Sequence, residues 1–446
     1  MESTLIWLIA VVLIAAVFTP YLIRFRRDHK AALVRLEEAR SLGIDRPRGQ
    51  HPQVNRSLCI GCGSCVAACP EGDILAVVWG KAEVINGDRC VGHGLCETAC
   101  PVGALKVGLG DIRSRPDIPV LSEHHETSVP DIFIAGELSG ISLIRHAVAQ
   151  GQLVVREIAR RYSAQPHSCD YNVVVVGAGP AGLSAALAAR ERGLSCVVLE
   201  QYDVGGAILH YPRCKLVMTQ PVEIPSYGAL DRDEYSKEQL LELWQDAVSR
   251  ASLNVRPGWK VESIGGHADG FAVRGVGGET ITGQYLILAM GRRGTPRKLG
   301  VPGEELSKVL YQLVDAQSYT NQHVLVVGGG DSAIEAAIGL ARQRGNTVTI
   351  SYRKDRFFRI KRKNEDAIGE MLRAGELRGV FSSQVQQIRP ASVVLTTPSG
   401  EIELPNDYVI VQAGGIPPFA MLKQAGIRFG GDSLSVAETD RQLAGA

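Results

Sequence analysis

The apolar positions of this chain change register several times. Leu5 to Ile23 runs for 19 residues without a charge, and as a helix it would be about 28 Å long, close to the hydrocarbon thickness of a bilayer. The run predicts a membrane-spanning helix over residues 1–23. Glu2 is the only charge before it and Thr19-Pro20-Tyr21 is not a small-residue cleavage site, which argues against a cleaved signal peptide. Arg24, Arg26, Arg27 and Lys30 follow at once. By the positive-inside rule they make the helix a single-pass anchor in lipid of the inner, cytoplasmic membrane, with the rest of the chain on the cytoplasmic side. Residues 24–50 then predict a polar juxtamembrane helix and a linker, with the helix ending near Gly43 and Pro47.

From Tyr171 the pattern becomes short β-branched runs bounded by glycine. Val173 to Val176 reads as a parallel strand buried on both faces. Gly177-Ala178-Gly179-Pro180-Ala181-Gly182 supplies a tight turn, a helix follows from Ala181 to about Arg192, and a second strand, Cys196 to Leu199, closes on Glu200 and Gln201. In that order the glycines serve the bend, the approach of backbone to a pyrophosphate and the packing of helix on strand, and Glu200 is placed to accept hydrogen bonds from a ribose. The same succession recurs at Val324 to Val327, Gly328-Gly329-Gly330 and Asp331-Ser332-Ala333, with Thr347 to Ser351 as its second strand. No acid closes this copy. Tyr352 is followed by Arg353 and Lys354, with Arg359, Lys361 and Arg362 close behind. Cations there suit a 2'-phosphate and favour NADPH over NADH, a solvated basic face being the alternative. Between the two copies, Glu234 to Ala251 has helical periodicity, and Val255 to Ile287 alternates as a small antiparallel sheet does.

Composition adds chemistry in one place. Net charge is +1 and there is no charged tail, so nothing marks a nucleic-acid binder. Seven of the ten cysteines fall between Cys59 and Cys100, a clustering that suits metal ligands better than a disulfide scaffold. Cys59, Cys62, Cys65 and Cys69, followed by Pro70, have the spacing C-x2-C-x2-C-x3-C-P of a bacterial iron-sulfur run. A second run, Cys90, His93, Cys96 and Cys100 with Pro101, repeats the frame with His93 at the second position.

These two runs resemble the duplicated halves of two-cluster bacterial ferredoxins. The resemblance implies one [4Fe-4S] cluster on Cys59, Cys62, Cys65 and Cys100, and a second on Cys69, Cys90 and Cys96. His93 is then a fourth ligand, or idle beside a three-iron cluster, or there is no second cluster. Imidazole in place of thiolate removes negative charge and raises a cluster's potential.

Thr127 to Glu137 is a short apolar strand ending in Gly136-Glu137, followed by a helix from Ile141 to Arg161. It resembles the closing segment of thioredoxin-reductase-like flavoproteins, in which a last strand ends in Gly-Asp and the acid meets the flavin ribityl chain. In that family the segment is C-terminal, whereas here it precedes the first glycine turn, and its strand is expected next to the one ending at Gly177, both facing the same FAD. Val204-Gly205-Gly206-Ala207 and Ile287 to Gly291 resemble the same family's backbone approach to the flavin and its domain crossover. The fold class expected is therefore α/β, with two Rossmann-like domains for FAD and NAD(P), a small α+β ferredoxin-like domain and the N-terminal transmembrane helix. The boundaries are 1–23 for the anchor, 24–50 for the linker, 51–112 for the ferredoxin-like domain and 116–165 for a circularly permuted piece of the FAD domain. The FAD domain proper spans 170–290, the NAD(P) domain 291–412 and a return segment 413–446.

The resemblance implies an NAD(P)H-dependent FAD oxidoreductase of ferredoxin-NADP reductase type, passing electrons between NADPH, FAD and the clusters to a redox protein or small acceptor, with a homodimer possible. Disulfide-reducing members carry a C-x-x-C in the NAD(P) domain, and residues 291–412 contain no cysteine. Reduction of a low-molecular-weight disulfide, with Cys214 as the one thiol placed to meet it, and a redox-sensing electron-transfer scaffold are the alternatives.

Overall fold

The computed structural model describes residues 2–42, 49–109, 115–141, 143–165, 167–218, 221–232, 234–357 and 360–432, with backbone alone for 2–6, 8–11, 21, 42 and 218. Arg359 and the end of the expected return segment, 433–446, lie outside the described residues. The chain divides into two compact units, Met1–Gly110 and Asp111–Ala446.

In the first unit, helix α1 spans Glu2–Leu42 without interruption at Pro20. Among the described residues no helix is long and apolar enough to cross a membrane, and the stretch expected to span, 1–23, lies in the first half of this continuous helix. Val12, Leu13, Val17 and Phe18 are exposed there. The polar helix expected after residue 24 runs to Leu42 and carries one apolar stripe. Ala32, Leu36 and Ala39 recur at helical spacing and are buried with Ala76, Val78 and Ile85, and Arg35 pairs with Asp73. Strand β1 (His51–Val54) pairs antiparallel with β4 (Leu105–Gly108), and β2 (Leu75–Val78) with β3 (Lys81–Val84). Two one-turn helices, α2 (Ser64–Ala67) and α3 (Leu95–Thr98), lie between them in sequence.

In the second unit a seven-stranded sheet carries the first glycine turn. Strand β6 (Tyr171–Val176) pairs in parallel with β7 (Cys196–Leu199) on one side and with strand Thr280–Leu288 on the other. Strand β5 (Ile132–Ile134) pairs in parallel with Leu286, Ile287 and Leu288 of that same long strand. The strand ending at Gly136-Glu137 is thus not the neighbour of the strand ending at Gly177, because three residues of Thr280–Leu288 lie between them. The stretch expected to be a small antiparallel sheet is also mixed. Val261–His267, Gly270–Gly275 and the start of Thr280–Leu288 form the antiparallel part, while Val255–Arg256 runs parallel to β7.

Helix α4 (Ile144–Arg161) packs along α5 (Pro180–Glu191), and small residues set the spacing: a Cβ on Gly151 would stand 2.4 Å from the Ala181 carbonyl oxygen. The far end of the chain closes on this segment. Val120 N–H donates to Arg428 O at 2.9 Å, Gly430 N–H to Ile118 O at 2.9 Å, and Arg428 N–H to the Ser128 hydroxyl at 2.9 Å.

The second glycine turn sits on a five-stranded parallel sheet in the order Val309–Leu310, Tyr408–Val411, His323–Val327, Thr347–Tyr352, Arg378–Phe381. Two short antiparallel strands, Thr295–Pro296 and Gly415–Ile416, carry the chain out to this sheet and back.

The piece before the first glycine turn is fastened by charge as well as by strand pairing. Arg161 donates to both Glu126 oxygens at 2.7 and 2.9 Å and to Glu157 at 2.6 Å, and Arg160 donates twice to Glu157. The two guanidiniums hold the buried Glu157 carboxyl down to about 2. A carboxylate depressed in the folded state stabilises above its unfolded value, about 4.3 for glutamate, and the gain is lost as pH falls through the folded value. Glu157→Gln is expected to lower stability at neutral pH by about 2 kcal/mol. Urea melts should show wild type losing that difference between about pH 4 and 2; melts that fall in parallel over that range would refute the assignment.

Candidate functional site

The first glycine turn is built so that no side chain intrudes. Gly177 has φ +109°, and a Cβ there would lie 2.5 Å from Ala289 O; a Cβ on Gly182 would lie 1.9 Å from Gly177 O. Gly205 N–H donates to Ala178 O at 2.9 Å, which brings Gly206 against Gly179. Glu200 is buried, and its oxygens accept from Ala178 N–H at 2.7 Å and Tyr202 N–H at 2.9 Å. It therefore braces the turn while keeping lone pairs toward the cavity it lines.

That cavity, about 380 Å³, is lined by Gly136, Glu137, Gly177, Gly179, Pro180, Ala181, Glu200, Gln201 and Gly206, so residues from both sides of the 170 position meet around one space. Gly182 and Gly205 do not line it; they act through packing. Gly136 has φ +83°, its N–H donates to Gln150 Oε1 at 2.7 Å, and an added Cβ would stand 3.0 Å from that of Ala181. Glu137 reaches the open cavity but is otherwise walled by protein. Burial raises its pKa, against the pull of the Arg292 guanidinium and backbone N–H. The Arg292 side chain is itself committed to Asp117 at 2.9 Å, which Arg115 also holds at 2.8 Å.

The second cavity, about 1000 Å³, is lined by Gly328, Gly330, Asp331, Ser332, Ala333 and Arg353. The Tyr352 ring covers the turn, since a Cβ on Gly329 would overlap it at 2.2 Å. Asp331 accepts from Lys361 N–H at 2.9 Å and Asn364 Nδ2 at 2.6 Å, so it orders the loop after Tyr352. Lys354 is exposed and does not line the cavity.

Glu137, His210, Tyr211, Arg293, Tyr311 and Gln312 line both cavities and form their common wall. Apart from Glu137, and from His210 and Tyr211 as part of the irregular stretch 208–228 expected to line the flavin edge, sequence reasoning missed these residues. They come from separate loops and strand ends, and no spacing in the chain announces them. Burial pushes the His210 pKa down and that of the Tyr211 hydroxyl up. Among the described residues no cysteine lines either cavity. Cys214 is exposed, with φ +59° and its N–H on Glu238.

In the first unit the duplicated cysteine runs are duplicated in shape. Gly61 and Gly63 have φ of +70° and +79°, Gly92 and Gly94 of +81° and +77°, and a one-turn helix follows each pair. His93 thereby occupies the place of Cys62. Cys59, Cys62, Cys65 and Cys100 line one small cavity. Backbone N–H groups of Ala82 and Ala104 point at the sulfurs of Cys59 and Cys100, at 3.3 and 3.2 Å. Cys69, Cys90 and Cys96 influence one another electrostatically, and burial pushes all three thiols up, Cys90 to about 11. Among the described residues no three such side chains converge on one metal-ion position. A polynuclear cluster makes a different demand, since each sulfur stands on its own iron.

Residues 174–442 match the model of the pyridine nucleotide-disulphide oxidoreductase family, and residues 51–101 match that of a 4Fe-4S dicluster domain. The chain belongs to the pyridine nucleotide-disulphide oxidoreductase family and is an NAD(P)H-dependent FAD oxidoreductase with an iron-sulfur domain. It is 31% identical to a ferredoxin--NADP reductase of Ignicoccus hospitalis over 60% of this chain and 86% of that one. It is 28% identical to the bacilliredoxin reductase Bdr of Bacillus subtilis over 57% and 80%. The bacillithiol disulfide reductase Bdr of Bacillus cereus superposes with a TM-score of 0.53 at 25% identity, over 58% of this chain and 82% of that one.

The glycine geometry gives a direct test. Gly182→Val places its side chain where the Gly177 carbonyl stands, and the purified protein is expected to lose bound flavin absorbance while far-ultraviolet circular dichroism stays near wild type. Full flavin occupancy in that variant would show that the turn does not hold the dinucleotide.

Proposed function

We propose that the chain takes electrons from NADPH into FAD and passes them to two iron-sulfur clusters and an external acceptor. FAD, when bound, accepts a hydride and releases electrons singly, which is what a cluster requires. The residues present fit it. Gly177, Gly179 and Gly206 leave backbone open to a pyrophosphate, Glu200 faces the ribose, and Gly136-Glu137 bounds the ribityl end. Because those residues derive from both 116–165 and 170–290, the FAD domain reads as circularly permuted. Gly328 to Ala333 would receive the nicotinamide nucleotide pyrophosphate, and Arg353 its 2'-phosphate.

One contrast carries the reading. Four cysteines assemble around a small cavity in the first unit, whereas no described cysteine lines the wall shared by the two nucleotide cavities. Electrons from the flavin are then expected to leave through iron rather than through a dithiol. The cysteine cavity fits a [4Fe-4S] cluster on Cys59, Cys62, Cys65 and Cys100, and the repeated backbone offers Cys69, Cys90, His93 and Cys96 to a second. Two of the relatives are named for bacilliredoxin or bacillithiol disulfide, which makes a low-molecular-weight disulfide the second reading for the acceptor. The exposed position of Cys214, outside both cavities, gives it no part in that reading.

Under anaerobic conditions NADPH is expected to bleach the flavin and then the cluster absorbance, with cluster paramagnetic resonance signals appearing; clusters that stay oxidised beside reduced flavin would sink the proposal. His93→Cys is expected to lower the potential of one cluster and leave the other unchanged. Arg353→Gln is expected to raise KM for NADPH about tenfold, the loss of one charge-assisted phosphate contact, with KM for NADH unchanged. Equal effects on both nucleotides would remove Arg353 from the phosphate site.

A further inference from the structure

The nucleotide-binding sheet is joined to the flavin-binding sheet by two strands, Thr295–Pro296 and Gly415–Ile416. Two crossing strands make a hinge, and a hinge alone leaves the angle between its two sides open. The distance between the two cavities' reacting ends depends on that angle.

Away from the hinge, residues 210–215 of the flavin side grip the nucleotide side at several points. His210 Nδ1 lies 3.1 Å from Gln312 Oε1, and Gln312 Nε2 donates back to His210 O at 3.3 Å. Arg213 N–H donates to Val314 O at 2.9 Å, and its guanidinium lies 3.5 Å from Asp315. Lys215 Nζ, over the Tyr211 ring at 5.1 Å, pairs with Glu335 Oε2 at 2.7 Å. Glu335 stands one turn into the helix that begins at Asp331 and lines the nucleotide cavity, and Asn364 Nδ2 reaches it at 3.4 Å. The grip therefore ends on the helix that opens at the second glycine turn.

We propose that residues 210–215 form a latch that fixes the nucleotide domain at one angle, with Lys215 and Glu335 as positioning residues for hydride transfer from the nicotinamide to the flavin. The proposal rests on the reading that NAD(P)H reduces FAD across the shared wall. A hydride moves only between atoms held close and aligned, and a fixed angle holds them so.

The test uses the full-length holoenzyme with Lys215→Met, Lys215→Arg and Glu335→Gln. Lys215→Met and Glu335→Gln are expected to slow flavin bleaching at saturating NADPH by about tenfold, a loss of alignment rather than of binding. Nucleotide Kd is expected to stay within about twofold, and Lys215→Arg to restore most of the rate. Amide exchange at Arg213 and across 312–318 is expected to rise in the two slow variants and not in Lys215→Arg. Unchanged exchange in both slow variants overturns the latch. A weakened Kd with an unchanged saturated rate also overturns it, making Lys215 a nucleotide ligand. Wild type that neither NADPH nor NADH bleaches overturns the functional reading instead, and the exchange measurement still decides whether the latch exists.

Discussion

The parallel pairing of Ile132–Ile134 with Leu286–Leu288 is the contact on which the second unit depends. One short stretch of strand is hydrogen-bonded to β6 on one edge and to β5 on the other. Without it, Gly136 and Glu137 have no route to the cavity that Gly177 and Gly179 line. The pairing buries three consecutive apolar residues on each strand, each contributing roughly 1.5–3 kcal/mol by its burial. Its neighbours reinforce it. The Arg161 bonds to Glu126 and Glu157 fix the flanking turn and helix, and the backbone pairing of 118–120 with 428–430 ties the segment to the far end of the chain.

Much of this was legible in the sequence because it is local. The two glycine turns, the acid at Glu200 and the cysteine spacings are short-range patterns, and both glycine turns lie on the expected strand-turn-helix frame. The Gly136-Glu137 motif was legible too, but its strand neighbour was not. Three consecutive apolar residues fit any buried parallel slot, and pattern does not distinguish the two edges of Leu286–Leu288. The helix at the N-terminus was legible as a helix but not in its docking. An absence of charge over Leu5 to Ile23 says nothing about the stripe further on, where Ala32, Leu36 and Ala39 dock on a hairpin. The common wall of the cavities was the least legible part, since His210, Tyr211, Arg293, Tyr311 and Gln312 share a location and no sequence pattern.

The iron-sulfur unit shows how duplication leaves room for divergence. Both halves keep the glycines that place the loop and the one-turn helix after it, so the backbone frame is held twice over. Within that frame the side chains differ at matched positions, His93 against Cys62 and Leu95 against Ser64, whose hydroxyl lies 3.4 Å from the Cys62 sulfur. Hydrogen bonds and ligand charge both set the potential of a cluster. Differences such as these would give clusters held in the two halves different potentials.

The closing of residues 118–134 on strand Thr280–Leu288 and on 426–430 also sets an order of events during synthesis. The cysteine-bearing unit is complete in sequence by Gly110 and finds its contacts within itself. Strand β5, made soon afterwards, can bond at first to the adjacent 125–127, through Thr127 N–H to Ile132 O at 2.8 Å and Ile134 N–H to His125 O at 2.9 Å, but it meets its parallel partner when Leu286–Leu288 emerge, and the 118–120 backbone waits longer still, for Arg428 and Gly430. At about 5–20 residues per second this leaves one edge of an apolar strand open for many seconds at the ribosome. Glu126 and Asp131, charged residues flanking that strand, are placed where they discourage it from pairing with another nascent chain.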